Sequence, residues 1–168
     1  MEFELRPWRI EDAPSLVKQA SNAAIASNMK ETLPAPYTLG NAVAYISRIL
    51  DQNARHLQIC RAIAINGEAV GSIGAFQKSG IYGHSAEVLL WLGQDYWNHG
   101  IGTSALSRLC SEAFSTLGVS RLYAEPFLRS KASCRVLEKA GFKLEGVLKS
   151  SICKDGELLD TCIYAQLK

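Results

Sequence analysis

At 168 residues the chain amounts to one domain, 1–168, and is long enough to bury a sizeable core. Apolar residues at 48% and charged residues at 20% mark an ordinary globular composition. A net charge of +2 is too small to argue for nucleic acid, and no apolar run reaches the roughly 18 residues a membrane span requires.

The N-terminus, "MEFELRPWRIED", lacks the apolar stretch of a secretory signal, so a cytoplasmic protein is expected. Within it, Phe3 to Arg6 alternates and predicts a strand. Asp12 is placed to cap a first helix carrying Pro14 in its first turn, with Leu16, Val17 and Ala20 on one face. Thr32 to Tyr37 is a loop. Thr38 then caps a second helix, with Ala42, Ile46, Ile49 and Leu50 on its apolar side.

Residues 57–65 are apolar and compatible with a strand. Asn66-Gly67 is a strong hairpin signal, and Ala69 to Gln77 returns from it. Ala86 to Leu92 predicts a third, well-buried strand. Ile101, Ala105, Leu106, Leu109, Cys110, Ala113, Phe114 and Leu117 form one helical stripe, which Gly118 ends. Val119 to Glu125 is a strand, parallel to 86–92 because a helix crosses between them. Ser130 caps another helix lined by Val136, Leu137 and Ala140 and ended by Gly141. The tail, 142–153 and 157–167, folds as a hairpin about Lys154-Asp155-Gly156. The order β-α-α-β-β-β-α-β-α-β-β predicts an α/β (α+β) domain. Its sheet is mixed and mostly antiparallel, with one parallel β-α-β crossover and helices on both faces.

Five cysteines in no Cys-x-x-Cys pair are read as buried reduced thiols, and the three histidines do not cluster with carboxylates, so no metal site is expected. Two features carry chemistry. In "YWNHGIGTSAL" a strand runs into a turn, and a helix starts at Gly100-Ile101-Gly102. The first amides of a helix lack internal partners, and glycines let an anion such as a pyrophosphate reach them; the alternative is a plain tight turn. Glu87 lies inside the most apolar strand, on one face with Leu89 and Trp91. Desolvation there raises its pKa and suits it to act as a base or to position an amine. The alternative is an ion pair with a basic neighbour such as Arg121. Trp8, Tyr37 and Trp91 are either core aromatics or the lining of an acceptor pocket, and Asp160 is either exposed or a partner for a cationic acceptor.

Four collinear stretches, "LRPWRIEDA", "HSAEVLLWLGQDYWNHGIGTSAL", "SKASCRVLEKAGFKLEGVLK" and "KDGELLDTCIYA", resemble the GNAT N-acetyltransferase superfamily, and within it the Rim-type branch that acetylates the N-termini of ribosomal proteins. The resemblance covers nearly the whole chain. It implies an acetyl-CoA-dependent N-acetyltransferase in which the acceptor amine attacks the thioester directly. The pyrophosphate would lie on the amides of Asn98, His99, Gly100, Ile101, Gly102 and Thr103. The pantetheine arm would pair with Leu90, Trp91 and Leu92 where two strands splay apart. It implies Glu87 as base and Ser133 as donor to the thioester sulfur; a helix-turn serine or a role for Cys134 are the alternatives at that end.

The chain departs from the pattern at Trp97, where the superfamily carries Gln or Arg, and at Ser130, where the Rim-type branch carries Asn. Ser130 remains a cofactor contact, shortened. Leu137 stands where many members have a thiolate-protonating tyrosine. The acceptor would be a protein N-terminal amine, with a small amine or a non-catalytic CoA-binding role as alternatives. Superfamily habit adds a homodimer, and no nucleic-acid or membrane partner is expected.

Overall fold

A computed structural model of the protein describes residues 1–56 and 58–168. It contains strands β1 (Glu4–Arg6), β2 (Gln58–Ile65), β3 (Glu68–Gln77), β4 (Ser85–Leu92), β5 (Arg121–Ala124), β6 (Lys143–Lys154) and β7 (Glu157–Leu167). The helices are α1 (Ala13–Ala20), α2 (Ala23–Ala26), α3 (Leu39–Ala54), α4 (Ile101–Thr116) and α5 (Lys131–Lys139). The start of the strand expected at 57–65 falls on Leu57, which lies outside the described residues. The four-residue α2 was not expected from the sequence; three alanines and one isoleucine carry no periodic stripe to announce it.

The seven strands form one sheet in the order β1-β2-β3-β4-β5-β7-β6. Neighbours run antiparallel, apart from the expected parallel pair: Ser85, Ala86 and Glu87 of β4 lie opposite Arg121, Leu122 and Tyr123 of β5. The crossover helix α4 and then α5 pack on one face, over Ile73, Val88, Leu122 and Cys162. Helices α1 and α3 pack on the other, over Cys60, Ala62 and Ala69, with Trp8 buried among them. Alternation along β2 and β3 divides these side chains between the two faces. Each fully buried Ile or Leu contributes about 1.5–3 kcal/mol to holding a helix on its face.

The turns follow local chemistry. Asn66-Gly67 and Asp155-Gly156 turn their hairpins with positive φ at both residues, the geometry those pairs favour. Thr38 caps α3 as expected: its hydroxyl accepts from the Asn41 N–H at 3.2 Å, and the Asn41 carbonyl oxygen accepts from the Thr38 N–H at 2.9 Å.

Two expected caps are not made. The Asp12 carboxylate takes both ends of the Arg6 guanidinium (2.7 and 2.8 Å) and the Arg9 N–H, not a helix amide. Ser130 opens α5 but donates its hydroxyl to Asn28 Oδ1 at 2.8 Å. In both cases a stronger or more distant partner outcompetes the local amide. The strand expected at 119–125 is shorter, at Arg121–Ala124, and the expected full burial of 86–92 fails at Leu89, which is 43% exposed.

Candidate active site

Beyond Glu87, β4 has no partner on its β5 side among the described residues, while β3 continues to pair with it as far as Leu92. Gly93 donates its N–H to Val70 O at 2.7 Å, so odd-numbered residues bond toward β3. Val88, Leu90 and Leu92 therefore turn their backbone groups into the gap. The Leu92 carbonyl there accepts from the Trp97 indole at 2.7 Å, which leaves the Val88 carbonyl and Leu90 as the free edge. The Trp91 side chain points to the opposite face and packs 6.5 Å from Trp8, which is buried; Trp8 and Trp91 are thus core neighbours.

The gap leads directly to the glycine turn. Asn98 and Gly100 are left-handed (φ 64° and 76°), and the first helical bond of α4 runs from the Ser104 N–H to Gly100 O. None of the amides from Asn98 to Thr103 has a protein partner among the described residues. A Cβ on Gly100 would meet nothing within 4 Å, so its surroundings do not require glycine; its φ does, and the space over it is open. A Cβ on Gly102 would lie 3.5 Å from Leu90 and 3.7 Å from Val136, so strand, turn and α5 meet there. His99 is exposed and, with Gly100, Ile101 and Arg108, lines a cavity of about 440 Å³. Unpaired amides at the start of a 16-residue helix suit a pyrophosphate, and a free strand edge suits an amide-bearing arm, so the site fits acetyl-CoA.

Ser133 stands in the first turn of α5, one turn before Val136. It is exposed, and among the described residues its hydroxyl bonds to nothing in the protein. Ser130, at the same helix end, is tied to Asn28. Cys134 is buried, with its sulfur 3.8 Å from that of Cys162. Burial pushes the Cys60 thiol up to about 11 and those of Cys110 and Cys162 up to about 12, too high for a thiolate nucleophile at neutral pH.

The opposite mouth of the gap is charged. Glu87 accepts from Lys30 at 2.7 Å and from Lys78 at 3.0 Å. Lys30 also lies 3.5 Å from Glu125, whose other oxygen accepts from the Thr161 hydroxyl at 2.8 Å. Arg121, the neighbour named in the ion-pair alternative for Glu87, turns instead to Glu145 on β6 at 2.7 Å. The expected upward pKa shift of Glu87 is corrected as well. Burial is the largest single influence and pushes it up, but the hydrogen bonds and charges of Lys30 and Lys78 together hold it below the ordinary carboxylate range. Sequence reasoning missed Lys30 and Glu125; no local pattern links residues 57 and 95 positions apart. Asp160 is occupied by Lys149 and the Ser150 N–H, away from this mouth. Tyr37 lines a second cavity of about 300 Å³ with Glu31, Pro34, Tyr45 and Arg48.

The acetyltransferase (GNAT) domain family matches residues 2–143. The chain belongs to the GNAT acetyltransferase family. By family it is an acetyl-CoA:amine N-acetyltransferase. The uncharacterized N-acetyltransferase YoaA of Bacillus subtilis is 35% identical over 101 residues, a stretch covering 60% of this chain and 56% of that protein. Two solved structures share the fold. The ribosomal-protein-S5-alanine acetyltransferase of Vibrio fischeri superimposes with TM-score 0.89 at 17% identity, over 99% of this chain and 93% of that one. The microcin C7 self-immunity acetyltransferase MccE, solved with acetyl-CoA and AMP, gives 0.86 at 22% identity, over 99% and 93%. No described helix is long and apolar enough to cross a membrane.

Proposed function

We propose that the protein transfers the acetyl group of acetyl-CoA to a primary amine, and that the acceptor is the α-amine of a protein or peptide N-terminus. The observation that carries the donor half is the free edge of β4 running into the unpartnered amides of Asn98 to Thr103. Those amides take the pyrophosphate, the Val88–Leu90 edge takes the pantetheine arm, and the thioester comes to rest by the first turn of α5. Ser133, with an uncommitted hydroxyl, donates a hydrogen bond to the departing sulfur, and the proton that the attacking nitrogen releases ends on that sulfur through Ser133 or solvent.

The acceptor half rests on Glu87. A carboxylate held low by two ammonium groups takes up protons poorly, so the acceptor must be an amine that sheds its proton to solvent readily near neutral pH. About one α-amine in ten is neutral at pH 7, against fewer than about one lysine side chain in a thousand. Glu87 then positions the amine more than it deprotonates it. Attack is direct in this reading, because the Cys134 thiol, beside Ser133, is buried and among the described residues has only the Cys162 thiol as a hydrogen-bond partner. The Vibrio fischeri acetyltransferase is named for acting on a ribosomal-protein alanine, which supports the N-terminal reading.

Calorimetry with acetyl-CoA on the wild type and on Gly100→Trp, followed by thiol release with peptides bearing free Ser, Ala or Met N-termini, tests this. Binding lost in the variant and turnover of a peptide are expected. Binding without turnover of any amine would leave a non-catalytic CoA-binding module. Turnover of polyamines or amino acids alone would move the acceptor to small amines.

A further inference from the structure

The charged mouth holds more than an acetyltransferase scaffold requires. The segment that follows α2 crosses the gap like a strap. Asn28 accepts from Ser130, the Met29 carbonyl accepts from Lys154 of β6 at 2.8 Å, and the Ser27 carbonyl accepts from Arg129 at 3.3 Å. These anchors deliver Lys30 to the point where its ammonium touches Glu87 and faces Glu125. Glu87 and Tyr123 are register partners, and Glu125 follows two residues later, so both carboxylates rise from the same face at the point where β4 and β5 part. This is the face opposite α4, from which an acceptor approaches a thioester lying in the gap.

The charges are informative. Glu87 already has Lys78 as a partner, so Lys30 is not needed to neutralise it. Glu125 is fixed from behind by Thr161, which is fully buried and bonded in turn to Ser151. With Lys78 in place, two carboxylates and one ammonium leave a net charge of one negative. Lys30 fills that deficit; a single primary ammonium from outside fills it equally well. A polycation brings surplus positive charge against Lys78.

We propose that Lys30 is a placeholder for the acceptor: a monocationic primary amine docks between Glu87 and Glu125 by displacing the Lys30 ammonium, so that Lys30 and Glu125 set which amines enter. This rests on the amine-acetylating function proposed above. The displaced Lys30 swings out with its strap, and the incoming amine loses its proton to solvent before attack.

The test uses the full chain with Lys30→Met, Lys30→Arg and Glu125→Gln. In thiol-release kinetics with acetyl-CoA and an Ala-initiated peptide, Lys30→Met lowers the peptide KM roughly tenfold with kcat little changed, Lys30→Arg keeps the wild-type KM, and Glu125→Gln raises KM roughly tenfold. Acetyl-CoA affinity by calorimetry stays the same in all three. Independently of turnover, NMR of the protein with 13C-dimethylated lysines shows the Lys30 signal moving toward the position of a free lysine as the peptide is added with CoA, and staying still with its N-acetylated twin. A KM that is unchanged or raised in Lys30→Met, or a Lys30 signal that the free peptide leaves in place, overturns the proposal. If acetyl-CoA binds but no amine is turned over, the proposed function fails, and the NMR titration alone decides the placeholder.

Discussion

The two sides of the gap between β4 and β5 are built from different materials. On the α4 side the chain offers main chain: amides without partners, a left-handed glycine and a free strand edge. On the α1–α3 side it offers side-chain charge, with Lys30, Lys78, Glu87 and Glu125 within 3.5 Å of one another in turn. Backbone geometry suits a donor that is always the same molecule, because a pyrophosphate needs only N–H groups at a helix start. Charged side chains can be exchanged one at a time, which suits an acceptor that differs between enzymes. On the proposed function, the difference teaches that donor and acceptor recognition can fail separately.

The largest expected effect tests whether every ion pair on the acceptor side belongs to the site. Arg6 and Asp12 also lie beyond the sheet on that side, but they are buried and joined by two hydrogen bonds. Asp12→Ala strands a buried guanidinium and costs about 3–5 kcal/mol of stability in urea unfolding. Glu87→Gln, at a half-buried site, costs about 1 kcal/mol or less. If the two cost the same, the division between structural and exchangeable pairs breaks down.

Next in size is Gly100→Trp, which lowers acetyl-CoA affinity at least about a hundredfold in calorimetry by forcing a side chain into the open space over a left-handed residue. Gly100→Asn, a residue that tolerates this conformation, loses much less. Glu87→Gln runs the other way: acceptor kcat/KM falls roughly ten- to a hundredfold while acetyl-CoA affinity holds. Any acetyl-CoA defect in Glu87→Gln would show the two sides to be coupled. Ser133→Ala gives a smaller loss, roughly tenfold in kcat with little change in either binding constant, since water can take over the proton.

This division also decided what could be read from the sequence. The α4 side was legible because it is local. Gly100 and Gly102 sit at the start of an apolar stripe, and the same logic of adjacent residues gave the Asn66-Gly67 and Asp155-Gly156 turns and the Thr38 cap. The parallel β4–β5 pair follows from one strand–helix–strand run, since a helical crossover brings the second strand back in the same direction. The acceptor side was not legible, because its partners meet across long stretches of chain. Lys30 reaches Glu87 over 57 residues and Glu125 over 95, and Ser130 leaves its expected cap for Asn28, 102 residues away. Asp12 was misassigned for a related reason: a capping amide and a buried guanidinium compete for the same carboxylate, and only the fold brings the guanidinium there. The desolvation of Glu87 is legible in its apolar strand, but the sign of its shift depends on two ammonium groups that no local pattern announces.

That sign gives the smallest expected effect and a direct choice between the two views of Glu87. Its carboxyl is held below the ordinary value in the folded state, so the unfolded chain takes up the proton first as pH falls. The stability it contributes is complete above the ordinary glutamate pKa of about 4.3 and is lost as pH drops through the depressed folded value. The unfolding free energy of wild type minus Glu87→Gln should therefore be about 1 kcal/mol at pH 7 and shrink as pH falls through the depressed folded value. If burial outweighed the lysines, the folded carboxyl would hold its proton more tightly than the unfolded one. The difference would then grow in acid instead. That outcome would restore Glu87 as a tuned base, take Lys30 out of contact with it, and weaken the case that the acceptor sheds its proton to solvent.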